Sequence, residues 1–160
     1  MERVYLGLGS NVGDSERTIR NAFLELQALL GEARLSSLWL SKPMYVEEQP
    51  DFINAVATGV TDLSPRGLLA AVHAIEASFG RDRSLERSKG PRRLDIDILL
   101  YGSRIISELD LVIPHKGLKE RQFALLPLLE LDRSLVDPED GQPYSTLAAT
   151  LPSQGIYLLG

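Results

Sequence analysis

Apolar stretches of period two and amphipathic stretches of period 3.6 follow one another as strand–helix–strand–strand–helix–strand. That order predicts an α+β sandwich of the split βαβ, ferredoxin-like type, with helices packed on one face of a mainly antiparallel sheet. The 160 residues fit one domain, 1–160. A chain of that length buries about 68–70% of its unfolded surface, so a single core suffices.

Val4 to Gly9 reads as a short apolar strand, closed by a turn at Gly9-Ser10-Asn11 and Gly13-Asp14. Asp14 or Ser15 caps a helix running to about Leu30. Its stripe is Ile19, Ala22, Phe23, Leu26, Leu29 and Leu30, and Gly31 stops it. Leu35 to Leu40 is a strand, 41–50 is irregular, and Phe52 to Val60 is the next strand. Ser64 as cap and Pro65 at the first helical position start a second helix, with Leu68, Val72, Ile75 and Phe79 inward and Gly80 at its end. Residues 81–92 lack periodicity and read as a mobile loop. Leu94 to Tyr101 is the clearest strand. A turn at Gly102-Ser103 leads to a short partner strand at Arg104–Ile106, and Phe123 to Leu131 is helical despite Pro127.

Composition narrows the function. The absence of cysteine excludes disulfides, thiolate zinc sites and a cysteine nucleophile. The opening MERVYLGLGSN is too short an apolar run for a signal peptide, and no segment is long enough to span a bilayer. A cytoplasmic monomer acting on small molecules is the expectation. Net charge is −5, which makes nucleic acid and anionic membrane poor default partners. Within that acidic chain, residues 81–93 hold six basic and two acidic groups.

Four groups of residues carry chemistry. Asp95 and Asp97 lie two apart in the Leu94–Tyr101 strand, so both carboxylates share a face while Leu94, Ile96 and Ile98 take the other. Their Cα atoms are roughly 6.6 Å apart. Carboxylates at that spacing can lean toward metals about 3.5–4 Å apart, and Mg²⁺ favours one or two carboxylates plus phosphate and water. A bare Asp-x-Asp is more often the wet face of an antiparallel strand. The neighbouring Arg81, Arg83 and Arg92, which can each grip phosphate through paired N–H bonds, shift the balance toward metal and phosphate. Glu76, near the end of the second helix, can accept from a ligand amine or hydroxyl or pair with an arginine of the following loop, though a helix glutamate is usually exposed. Phe52 and Asn54 share a strand face and suit a flat heterocycle with an aromatic plane and a carboxamide, though without other support a core Phe and a turn-proximal Asn is the favoured reading. His115, Arg121 and Phe123 add a donor, a cation and a second aromatic plane. Two histidines without an HxxxH pair make a histidine metal site improbable, and no GxxxxGK[ST], GxSxG or GxGxxG is present.

Together these motifs resemble the 6-hydroxymethyl-7,8-dihydropterin pyrophosphokinase family. The likeness runs from VYLGLGSNVGD to VIPHKGLKERQFALLPLLEL, and Gly-Pro-Arg-x-x-Asp-x-Asp at 90–97 is its most specific part. The resemblance implies transfer of pyrophosphate from ATP to a hydroxymethyl pterin, with AMP released. It implies two Mg²⁺ ions on Asp95 and Asp97, which with Arg81 and Arg92 become the candidate catalytic residues. Glu76, Arg81, Arg83, Arg92, His115 and Arg121 become candidate nucleotide contacts. Phe52 and Phe123 would sandwich the pterin, with Asn54, Ser41, Pro43, Met44, Tyr45 and Asp95 around its edge, and Asn11 close to the cleft. The chain departs from the family pattern at Ser88-Lys89, where an Arg-Trp pair is common, in a loop one residue longer, and at Lys116, Asp110 and Val112.

Two other readings share some of these residues. Another Mg²⁺-dependent phosphoryl or nucleotidyl transferase would need the aspartates and arginines but not Phe52, Asn54 and Phe123 together. A nucleotide- or RNA-binding ferredoxin-like module would not need Asp95 and Asp97, and the acidic charge and missing RNP aromatics disfavour RNA.

Overall fold

A computed structural model describes residues 1–42, 50–80 and 93–159. Pro43, Met44 and Tyr45, and Arg81, Arg83 and Arg92 with the rest of the expected 81–92 loop, lie outside the described residues.

Strand β1 (Glu2–Ser10) lies inside the sheet, between β4 (Phe52–Thr61) and β5 (Asp95–Tyr101), antiparallel to both. The sheet runs β5-β1-β4-β3-β8, with β3 (Trp39–Ser41) and β8 (Tyr157–Leu158) beyond β4, and β2 (Gly31–Leu35) also pairing with β4. Every pairing is antiparallel. With helices α1 (Ser15–Leu29) and α2 (Pro65–Ser78) crossing between strands, the expected ferredoxin-like order is the one found.

Local chemistry explains the helix limits. Asp14 accepts from the N–H of Arg17 at 3.3 Å, and Ser64 accepts from that of Gly67 at 3.0 Å with Pro65 just inside. Gly80 ends α2 with a φ of +85°. Gly31 acts differently from expectation. Leu30 is already extended, Gly31 opens β2, and the positive φ falls on Glu32. Packing there is close: a Cβ on Gly31 would lie 3.0 Å from Val60 Cγ2.

Two expected features change. The Leu35–Leu40 strand is broken, because Ser37 and Leu38 together oppose Ala55 and make a bulge. Ser36 bridges the break, donating its N–H to Val56 O and accepting the Val56 N–H on Oγ, both at 2.9 Å. Arg104–Ile106 does not pair with β5. Instead β6 (Ile106–Glu108) forms a hairpin with β7 (Leu111–Ile113), and the following chain returns to β5 through the His115 N–H on Leu99 O at 3.0 Å.

Helices also cover both faces rather than one. Val4, Leu6, Leu8, Leu94, Ile96 and Ile98 pack with Ile19, Leu26, Leu68 and Val72 of α1 and α2. Tyr5, Val56, Leu99 and Leu100 pack on the other face with Leu125 and Leu128 of α3 (Gln122–Leu131) and Tyr144 of α4 (Tyr144–Thr150). Helix α3 is apolar nearly all round, with Ala124, Leu125, Pro127, Leu128 and Leu129 buried, so a one-faced helical layer could not cover it. No helix among the described residues is long and apolar enough to cross a membrane.

At Gly59 a Cβ would meet Leu30 Cβ at 2.7 Å and Gly31 O at 2.9 Å, both in fixed structure. Gly59→Ala is expected to destabilise the fold by about 1–3 kcal/mol, read as a lower denaturant midpoint with an unchanged slope.

Candidate active site

The register of β1 sets the floor of a cavity. Gly9 stands opposite Asp95 on β5 and Asn54 on β4, and Gly7 stands opposite Asp97. Both glycines line the cavity with Asp95, Asp97, Phe52, Asn54, Ser41, Lys42, His115, Arg121 and Phe123. A stretch of strand without side chains thus leaves a slot between walls that bear carboxylates on one side and aromatic rings on the others.

Alternation on β5 aims the carboxylates. Leu94, Ile96 and Ile98 are buried in the core, while Asp95 and Asp97 are half-buried and turned into the cavity. Glu76 corrects the expectation of an exposed helix glutamate. It is 1% exposed, its Oε2 accepts the Ile96 N–H at 2.8 Å, and it does not line the cavity. The contact holds the strand at the residue between the two aspartates.

Ser41 and Asn54 form a second fixed pair. Asn54 Nδ2 donates to Ser41 Oγ at 2.7 Å with both residues buried, which leaves Oδ1 as the acceptor near the Gly9 floor. Phe52 follows one strand repeat away on the same face. Asn11 does not line the cavity. It is buried, and its Nδ2 donates to Pro50 O at 3.0 Å, tying the first turn to the entrance of β4.

The third wall is the segment from His115 to Phe123. His115 Nδ1 accepts the Gly117 N–H at 3.1 Å, so the neutral ring carries its proton on Nε2, 3.7 Å from Asp97 Oδ1. Burial pushes the His115 pKa down to about 4, the Arg121 charge adds to that, Asp95 opposes it, and Lys116 lowers it further. Arg121 lies over the Phe123 ring, 5.7 Å from its centroid. Its guanidinium also rests on Gly117, where a Cβ would come within 2.7 Å of Cζ and Nε.

Sequence reasoning missed Gly7, Gly117 and Lys42. The alternating glycines of GLGS carried a signal for the first, since glycine in a strand interior marks a close approach. Nothing local marks Gly117, which meets Arg121 only in the folded chain. Arg93, the one residue of the 81–93 basic stretch that is described, lies by Gly13 and Gly80 and does not line the cavity.

The donor set fits a hard cation. Two carboxylates share one face at the cavity, and among the described residues no group of three or more metal-ligating side chains gathers. An ion there would complete its shell with phosphate oxygens and water, as Mg²⁺ does.

Comparison with known proteins gives a consistent match. The family model for 7,8-dihydro-6-hydroxymethylpterin-pyrophosphokinase (HPPK) matches residues 5–133. A 2-amino-4-hydroxy-6-hydroxymethyldihydropteridine pyrophosphokinase from Pseudomonas aeruginosa is 41% identical over 159 residues, covering 98% of this chain and 96% of that protein. Folic acid synthesis protein fol1 from Schizosaccharomyces pombe is 43% identical over 156 residues, covering 96% of this chain. The chain spans about a fifth of that relative's length, 21%. The crystal structure of wild-type Plasmodium falciparum HPPK-DHPS with pteroate superposes with a TM-score of 0.74 at 16% identity, covering 92% of this chain and 42% of that one. At that identity the likeness concerns the fold.

In ligand-free, magnesium-free protein the His115 ring is expected to titrate near pH 4 by NMR. Because its folded pKa lies below the ordinary 6.5, its contribution to stability is full above about pH 6.5 and is lost as pH falls toward 4. Arg121→Ala should move the midpoint upward by removing a repelling charge. A wild-type midpoint at 6.5 would contradict the burial argument.

Proposed function

The chain belongs to the 7,8-dihydro-6-hydroxymethylpterin-pyrophosphokinase family, ATP-dependent pyrophosphokinases of folate biosynthesis, and on that footing we propose how it acts. It transfers pyrophosphate from ATP to the hydroxymethyl group of 6-hydroxymethyl-7,8-dihydropterin and releases AMP. The observation that carries this reading is one cavity with Asp95 and Asp97 on one wall and Phe52, Asn54 and Phe123 on the others.

In this reading the pterin lies between Phe52 and Phe123 above the Gly7–Gly9 floor. Asn54 Oδ1, left free to accept because Nδ2 is engaged by Ser41, takes an N–H at the edge of the heterocycle. Ser41 orients that carboxamide. The hydroxymethyl group then points toward the aspartates.

Asp95 and Asp97 would hold two Mg²⁺ ions, which when bound polarise the attacking hydroxyl and neutralise charge around the β-phosphorus. The hydroxyl oxygen bonds to the β-phosphorus and gives up its proton to solvent, the bond from that phosphorus to the α,β-bridging oxygen breaks, and AMP leaves with that oxygen. His115 does not serve as the base, because its Nε2 already carries the proton and its Nδ1 accepts from Gly117. It acts as a neutral donor to a phosphate oxygen. Arg121 supplies a fixed positive charge, and Arg81, Arg83 and Arg92 supply further ones to the polyphosphate. Catalysis is then mostly positioning and electrostatics, as in phosphoryl transfer generally. Glu76 serves the nucleotide side indirectly, by holding the β5 backbone.

Incubation with ATP, Mg²⁺ and the dihydropterin should release AMP in equal amount to a diphosphorylated pterin, with none in a no-pterin control. Asp97→Asn should lower turnover at least about a hundredfold, and chelation of magnesium should abolish it. Near-normal turnover by Asp97→Asn would sink the metal role, and ADP or inorganic pyrophosphate in place of AMP would sink the reaction.

A further inference from the structure

The corner that carries Arg121 and Phe123 is held by a residue far outside the 5–133 family match. Helix α3 begins at Gln122, and Arg121 before it supplies no side-chain cap. The cap comes from Gln154. Its Oε1 accepts the Gln122 N–H at 2.9 Å, and its own N–H donates back to Gln122 Oε1 at 3.2 Å. Its Nε2 donates to Glu120 O at 2.8 Å. Three hydrogen bonds therefore bracket Arg121, at the residue before it and the residue after it.

Gln154 is itself anchored to the opposite wall. Gly155 turns the chain with a φ of +70°, close against the Lys42 side chain. Tyr157 and Leu158 then pair with Leu40 and Trp39 of β3, and the Leu159 N–H donates to Leu38 O at 2.9 Å. Strand β3 ends at Ser41, and both Ser41 and Lys42 line the cavity. The tail thus clasps the Arg121–Phe123 wall to the Ser41–Asn54 wall.

We propose that Gln154 is a positioning residue that sets the width of the pterin slot by fixing the start of α3. The inference rests on the reading that Phe123 stacks on the pterin. The aspartates and His115 belong to β5 and the turn beside it, outside the clasp, so its loss should loosen pterin binding most and, through the Arg121 it also brackets, slow the transfer step less.

The test is steady-state kinetics of the full chain with 6-hydroxymethyl-7,8-dihydropterin varied at saturating MgATP, alongside thermal unfolding. Gln154→Ala is expected to raise KM for the pterin about fivefold, the loss of roughly one net hydrogen bond, with kcat within about twofold. Gln154→Glu keeps the acceptor for the Gln122 N–H but loses the donor to Glu120 O, so its KM should fall between the two. An unchanged KM in Gln154→Ala overturns the proposal, and so does a fall in kcat that tracks lost thermal stability. If the wild-type chain makes no pterin-dependent AMP, the functional reading fails and takes this one with it. If the wild type is active and Gln154→Ala matches it, only the clasp is refuted.

Discussion

The hydrogen-bond register of β1 between β4 and β5 is the constraint on which the rest depends. It sets Asn54, Gly9 and Asp95 side by side across three strands, with Gly7 beside Asp97 one repeat along. Strand side chains alternate faces, so a slip of one residue would bury the carboxylates under α1 and α2 and turn Ile96 and Ile98 into the cavity. The buried set Val4, Leu6, Leu8, Leu94, Ile96 and Ile98 makes that slip prohibitive. Core packing on one face of the sheet thereby aims the chemistry on the other.

Around this frame three hydrogen bonds fix the site's backbone and side chains. Glu76 holds the Ile96 N–H, Ser41 holds the Asn54 carboxamide, and the Gly117 N–H holds His115 in one tautomer. Leaving a buried partner of this kind unsatisfied costs about 1–3 kcal/mol, so each pairing stabilises a geometry as well as the fold. Such preorganisation suits a reaction in which positioned charge supplies most of the rate.

Helix α3 links the site to the far edge of the sheet. Gln154 ties down its start. Near its end, Glu130 accepts from the Ser37 N–H at 2.7 Å, the Ser37 hydroxyl at 2.8 Å and Trp39 Nε1 at 3.3 Å, all at the bulge between β2 and β3. The bulge that interrupts the expected strand therefore has a use, since it presents these donors to the helix on the second face. Both ends of α3 answer to β3, which carries Ser41 into the cavity.

Period and capping chemistry made much of this legible in advance. Asp14, Ser64 and Pro65 marked helix starts. Alternation put Asp95 with Asp97 and Phe52 with Asn54, and the strand–helix order predicted the sheet. These features depend on how one segment divides between core and solvent, which its own residues encode. Other features depend on contacts between distant segments, and only the tertiary structure decided them. Glu76 is buried because β5 brings it a backbone donor 20 residues away in sequence. Residues 106–108 pair with β7 instead of β5, and the guanidinium of Arg121 packs on Gly117. Gln154 reaches Gln122 across 32 residues. Periodicity records which face of an element is covered and carries no record of what covers it.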